Sequence, residues 1–402
     1  MKKRAQKHPW TILAAGAAIQ VLTGIPAAWG VFQKPVMEEY QLTERGAGYA
    51  FAVLIAAFGV GCVIGGFLQD SQGPRCAGLW GTALLCGGFF AAGALPPGSL
   101  GTFMLAFSIP AGLGTAFLYP AIQSCAQKWY ADRKGLATGV IGGAVGLSGA
   151  FLTVVVRSAV KGFWIICGIR AAFWALGAVT LPVCITGSLL LTDPPQKQKT
   201  QQSGVDLPPW QMIKTKQYWL CTGAVCFSTP AVLLFSPIIL KLGMERGLEE
   251  SSALWSIVLG SVGSAAGRLL MPMLSDKIGR RPTDMILFAV SLGLSAAFIF
   301  AQGWWVVMCY AGLTFCYSAL AAVLPALSTD LFGFPHAGVN YGFLALGQSV
   351  GSLVFPFWAN LWGLEVGRHW LAMAGAIAGF VAIWRLHPVE ENGAGAELQQ
   401  GS

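Results

Sequence analysis

Apolar residues run through this chain in twelve blocks, each close to the ~20 residues that a helix needs to cross a bilayer. The blocks fall near residues 10–32, 48–69, 76–97, 102–126, 136–157, 170–192, 217–241, 253–275, 283–302, 304–329, 338–361 and 367–386. Six precede and six follow the one long polar stretch, Asp193 to Lys216, which holds Pro194, Pro195, Lys197, Lys199, a Gln/Ser run, Lys214 and Lys216. The pattern predicts an all-α integral membrane protein of twelve spans in two pseudo-symmetric six-helix bundles. Residues 1–192 form the first bundle, 193–216 a flexible linker, and 217–402 the second bundle with a short polar tail. The first block follows Met1-Lys2-Lys3-Arg4 as in a signal peptide. It is too long for such a segment, lacks a clear cleavage site and is followed by eleven more blocks, so it reads as the first span.

Composition agrees with a surface facing lipid. Mean hydropathy is +0.63, and charged residues make up 10% of the chain, against about 25% in soluble domains. The 52 glycines suit closely packed membrane helices. The 15 tryptophans and 24 phenylalanines suit interfacial belts and lipid contact. The ten cysteines lie in or beside apolar segments without a C-x-x-C pair, so they read as small buried side chains and not as disulfides or metal ligands.

The net charge of +8 follows from topology, and no nucleic-acid partner is expected. With the N-terminus in the cytoplasm, sixteen of the 25 basic residues fall in inside segments, eight in outside segments, and Arg268 within a span. That bias places both termini in the cytoplasm of a multi-pass protein of the cell (inner) membrane.

Two loops repeat one pattern. Gly66-Phe67-Leu68-Gln69-Asp70-Ser71-Gln72-Gly73-Pro74-Arg75 follows the second block, and Pro272-Met273-Leu274-Ser275-Asp276-Lys277-Ile278-Gly279-Arg280-Arg281 follows the eighth. Both fit G/P-x-L-x-D-x-x-G-x-R at equivalent places in the two halves, an internal repeat expected of transporters built from related bundles. The pattern resembles the loop signature of the major facilitator superfamily, over the whole chain. Asp70 and Asp276 are expected to accept hydrogen bonds from the start of a neighbouring helix and to pair with nearby arginines. Asp70, Arg75, Asp276, Arg280 and Arg281 are therefore candidate gating residues that hold the cytoplasmic side closed.

The loop after the fourth block, Gln127-Lys128-Trp129-Tyr130-Ala131-Asp132-Arg133-Lys134-Gly135-Leu136-Ala137-Thr138-Gly139, is similar to that of the oxalate/formate antiporter family, itself related to the monocarboxylate transporters. The fifth block continues with Gly139, Gly142, Gly143, Gly146 and Gly149, a bare helix face for close packing.

A charge at bilayer depth marks function by default. Arg268 lies seven residues before Ser275, roughly 10 Å into the membrane at 1.5 Å per residue. Its guanidinium matches a carboxylate through two parallel hydrogen bonds, which makes it the candidate clamp for the substrate carboxylate. The resemblance implies the same role, since the antiporter family carries an arginine at this place. Tyr119 and Tyr317 each offer a hydroxyl and a ring to the cavity wall. The resemblance supports Tyr119, while at Tyr317 the oxalate pattern has tryptophan. That pattern also places a lysine eight residues before Pro356, where this chain has Gln348. One cation and a neutral amide suit a singly charged anion, because an unpaired second carboxylate in the cavity costs several kcal/mol.

No Asp, Glu or His falls near the middle of any block: Asp70, Asp276, Asp284 and Asp330 cluster at cytoplasmic ends. Proton-driven carriers need a titratable relay, so anion exchange is favoured, with proton-coupled symport and oxalate-type dicarboxylate exchange as alternatives. No convergent catalytic set and no nucleotide-binding loop are found. The expected protein is a transporter and not an enzyme, without cofactor or metal, taking a small carboxylate and working as a monomer.

Overall fold

A computed structural model describes residues 9–130, 133–160, 164–194, 207–333, 336–361 and 364–387. Ala131 and Asp132 of the fourth loop and residues 195–206 of the polar stretch lie outside the described residues. The first bundle contains α1 (Pro9–Tyr40, interrupted at Gly24), α2 (Glu44–Gln72), α3 (Pro74–Ala94), α4 (Leu100–Trp129), α5 (Lys134–Val160) and α6 (Trp164–Leu190). The second contains α7, broken into Lys216–Ser228, Pro230–Leu233 and Ile239–Glu245, then α8 (Glu250–Ile278), α9 (Arg280–Phe300), α10 (Trp304–Phe332), α11 (Ala337–Leu361) and α12 (Leu364–Trp384).

Among the described residues, ten helices are long and apolar enough to cross a membrane. The remaining two are α7 and α12. Pro230 lacks an N–H and breaks α7, while α12 carries Arg368 and His369 close to its start. Both still pack as the seventh and twelfth members of the bundle. Thr43 caps α2 by accepting from the Gly46 N–H at 3.1 Å. Gly73 and Gly279, the glycines of the repeated motif, adopt φ of 87° and 94°. That left-handed region favours glycine, so each motif copy turns tightly from one span into the next.

The packing repeats with an offset of six helices. In the first half α1 packs on α5, α2 on α4, and α3 on α6; in the second α7 packs on α11, α8 on α10, and α9 on α12. The halves meet along two equivalent seams, α2 against α11 and α5 against α8. Along the first seam the Ser349 hydroxyl donates to the Ala56 carbonyl at 2.8 Å. Each half has its own apolar core, with Trp29, Phe107 and Phe173 buried in the first and Phe235, Phe298 and Phe332 in the second. Large apolar side chains also point outwards: Trp10, Trp219, Trp305 and Phe300 are 65%, 65%, 71% and 82% exposed. A soluble protein rarely shows so continuous an apolar surface; lipid is the solvent that this one fits. Before α7, Leu207 is tied to the second half, donating to the Phe332 carbonyl at 3.0 Å and accepting from Asn340 Nδ2 at 3.0 Å.

Candidate functional site

The two halves enclose a central cavity of about 150 Å³, where a single water centre needs about 10–15 Å³. Arg268, Tyr119, Tyr317 and Gln348 all line it. The four residues come from α8, α4, α10 and α11, so only the closed bundle brings them together.

Arg268 reaches the cavity because α5 lets α8 approach. A methyl group on Gly142 would lie 3.1 Å from Arg268 Cβ. The guanidinium Nε donates to Ser264 Oγ at 3.4 Å, and Ser264 Oγ lies 2.7 Å from Ser318 Oγ. No Asp or Glu pairs with Arg268 among the described residues. It is also the one charged residue among those described that line the cavity. A half-buried guanidinium without an acidic partner among the described residues has the geometry to take an anion through two parallel hydrogen bonds.

Tyr119 is buried and lies close enough to Arg268 to interact with it. Gln348 Nε2 donates to Tyr317 Oη at 2.7 Å, which leaves the tyrosine proton free for another acceptor. Tyr341 and Tyr310, absent from the sequence expectations, line the same cavity. A signal for them existed: Tyr310 lies seven residues before Tyr317, and Tyr341 seven before Gln348. Two helical turns apart, each pair shares one face.

The motif residues divide into two groups. Asp70, in the last turn of α2, faces the start of α11, within hydrogen-bonding reach of the Val339 N–H, and a methyl on Gly338 would meet Asp70 Oδ1 at 2.9 Å. Asp276, in the last turn of α8, faces the start of α5, where a methyl on Gly135 would meet its Oδ2 at 2.7 Å. Each carboxylate thus faces a helix N-terminus of the opposite half. Arg280 forms an ion pair with Asp276 and donates to Asp330 Oδ2 at 3.4 Å. The arginines expected beside the aspartates do not all take that place. Arg75 donates instead to the Leu191 carbonyl at 2.9 Å, and Arg281 donates to the Ile383 and Trp384 carbonyls. The freed carbonyls at the ends of α6 and α12 draw these two cations into their own bundles.

Opposite the motif end, a cleft of about 340 Å³ lies between the halves. Phe51 and Leu233 line both this cleft and the central cavity. An exposed ion pair, Lys241 to Glu44 at 3.0 Å, crosses the halves at this end.

One residue departs from expectation in its environment. Asp284 is the fifth residue of α9, near the motif end as the sequence places it, yet it is only 3% exposed. It lines a cavity inside the second half that Tyr317, Tyr341 and Gln348 also line.

The comparisons with known proteins agree with this architecture. The chain is 24% identical over 346 residues to the oxalate:formate antiporter of Oxalobacter formigenes, covering 83% of this chain and 79% of that protein. It is 25% identical over 360 residues to the uncharacterized MFS-type transporter YhjX of Escherichia coli (strain K12), covering 87% of each. Its fold is similar to the solved structure of the proton:xylose symporter XylE bound to 6-bromo-6-deoxy-D-glucose. There the TM-score is 0.73 at 14% identity, covering 94% of this chain and 96% of that one. The sequence profile of the Major Facilitator Superfamily matches residues 12–356 and again 245–401. With its twelve helices in two repeated halves around a central cavity, the chain belongs to the Major Facilitator Superfamily, a family of membrane transporters and not of enzymes.

Proposed function

We propose that this protein carries small, singly charged organic anions, the monocarboxylates, across the cell (inner) membrane by alternating access. The observation that carries this is Arg268, a guanidinium without an acidic partner in a cavity that has no other described charge. Arg268 binds the carboxylate through two parallel hydrogen bonds. Tyr119 and Tyr317 wall the site, and Gln348 offers an amide where a second cation would favour a dianion. Oxalate-type exchange is the alternative supported by similarity to the Oxalobacter antiporter; the neutral Gln348 weighs against it. The central cavity has no acidic residue among its described lining, and by itself it supports anion exchange.

Alternation follows from the two ends. Asp70 and Asp276 latch the halves at the motif end, which the excess of basic residues assigns to the cytoplasm together with both termini. Arg280 holds Asp276 in place, while Arg75 and Arg281 brace helix ends within each bundle. Opening the opposite end requires Phe51 and Leu233 to part, as the halves rock about the site. One chain contains the whole pathway, consistent with a working monomer.

The test is uptake of lactate, pyruvate, formate and oxalate by purified protein in proteoliposomes. Arg268→Lys keeps the charge and loses the fork. Transport is expected to fall about 10- to 100-fold, the scale of one charge-assisted hydrogen bond at ~1.5–3 kcal/mol, while insertion and folding persist. Near-normal uptake by this variant sinks the clamp.

A further inference from the structure

The inner cavity of the second half has room for a few waters, at about 40 Å³ against the about 10–15 Å³ that one needs. Asp284 forms part of its wall. The Oδ1 atom of Asp284 is buried and has no hydrogen-bond partner among the described residues. The cation that acts on this carboxyl group is Arg280, one turn earlier on α9. Arg280 is already engaged by Asp276, Asp330, the Pro272 carbonyl and Ser275 Oγ. One guanidinium therefore serves three carboxyl groups. Around Asp284, α7 supplies Cys221, α10 Tyr317 and α11 Tyr341, while α12 presents Ile383; the rest of the wall is largely leucine, alanine and phenylalanine. Among the described lining residues none is a cation and none comes from α8. A carboxylate so placed is costly unless a small cation neutralises it. The sparse oxygen lining suits a proton better than a metal ion, which needs several oxygen ligands.

We propose that Asp284 is a proton-binding site coupled to the anion site, so that a proton on Asp284 and a monocarboxylate on Arg268 cross the membrane together. This rests on the proposed function and deepens it by naming the coupling ion. The charge balances: one proton neutralises Asp284, one anion neutralises Arg268, and release of both restores the empty carrier. The two sites meet at Tyr317, Tyr341 and Gln348, which line both cavities. The Tyr317 hydroxyl accepts from Gln348, so its own proton can turn towards either site.

The experiment uses the full chain in proteoliposomes with labelled lactate. A gradient of one pH unit, acid outside, is expected to drive up to about tenfold accumulation for one proton per anion, a decade for a decade. Asp284→Asn is expected to lose that accumulation and Asp284→Glu to recover part of it. Infrared difference spectra of purified wild type and Asp284→Asn, without substrate, are expected to show a titrating carboxyl band that the variant lacks. Gradient-driven accumulation that survives Asp284→Asn overturns the proposal. So does lactate exchange that ignores pH, or accumulation driven by a sodium gradient instead; both leave Arg268 as the anion site. If no carboxylate moves at all, the proposed function fails, and the infrared band decides the proton site alone: its absence overturns that site too.

Discussion

Gln348 sits beside Tyr317 at the junction of two cavities, and in the proposed function its neutrality limits how much negative charge the centre can hold. A second cation there would pair with a second carboxylate. Gln348→Lys is therefore expected to raise the binding of oxalate relative to lactate by about tenfold or more, on the scale of a charge-assisted hydrogen bond at ~1.5–3 kcal/mol. Calorimetric binding of both anions to the purified variant checks this, and an unchanged ratio removes the argument for a singly charged substrate. Arg268 was legible in the sequence because a charge inside an apolar block has few explanations. Asp284 was not legible as a buried acid. Five residues into a helix, it can face water or the bundle, and only packing against α7, α10, α11 and α12 turns it inwards.

Helix α5 shows how glycine spacing becomes a seam. A methyl on Gly146 would lie 2.4 Å from both Cα and N of Ala265, backbone atoms that cannot move without shifting α8. A methyl on Gly143 would meet its nearest neighbour, the Ala265 carbonyl oxygen, at 3.9 Å, an ordinary contact. Gly146→Ala is expected to lower thermal stability by about 1–3 kcal/mol, as overpacking does, and to slow transport. Gly143→Ala is expected to leave both near wild type. Thermal unfolding and uptake measured side by side distinguish the two, and equal behaviour would show that the seam is looser than the distances imply. The glycine face could be read from its spacing of three and four. Its partner, helix α8, could not, because several helices carry small residues at such spacings.

At the scale of the whole molecule, two carboxylates from the equivalent ends of α2 and α8 each meet a helix of the opposite half. A carboxylate at a helix N-terminus contributes about 0.3–1 kcal/mol, so the latch proposed above would be weak enough to release in every cycle. Asp70→Asn and Asp276→Asn are each expected to shift the population towards opening at the motif end, and the double variant further. Distances between spin labels on the ends of α2 and α11 report this as a growing long-distance fraction. No change on either substitution removes the latch. At the opposite end an exposed ion pair, Lys241 to Glu44, also crosses the halves; such pairs contribute little, so that substitution of Lys241 should move the distribution less.

The number of spans, the two halves and the repeated turn were determined by sequence alone. Hydropathy over 20 residues and a motif copied six spans later record the constraints of the bilayer, which act on every residue locally. The site is a different kind of object. Arg268, Tyr119, Tyr317 and Gln348 stand on four helices, and their convergence depends on the angles at which α5 meets α8 and α2 meets α11. The same packing turned Arg75 and Arg281 to the carbonyls of their own bundles and enclosed Asp284 behind Gln348. Partners of long side chains and the burial of a residue near a helix end are set by neighbours distant in the chain. Sequence periodicity tells which face a residue occupies, and only the assembled bundle tells what that face meets.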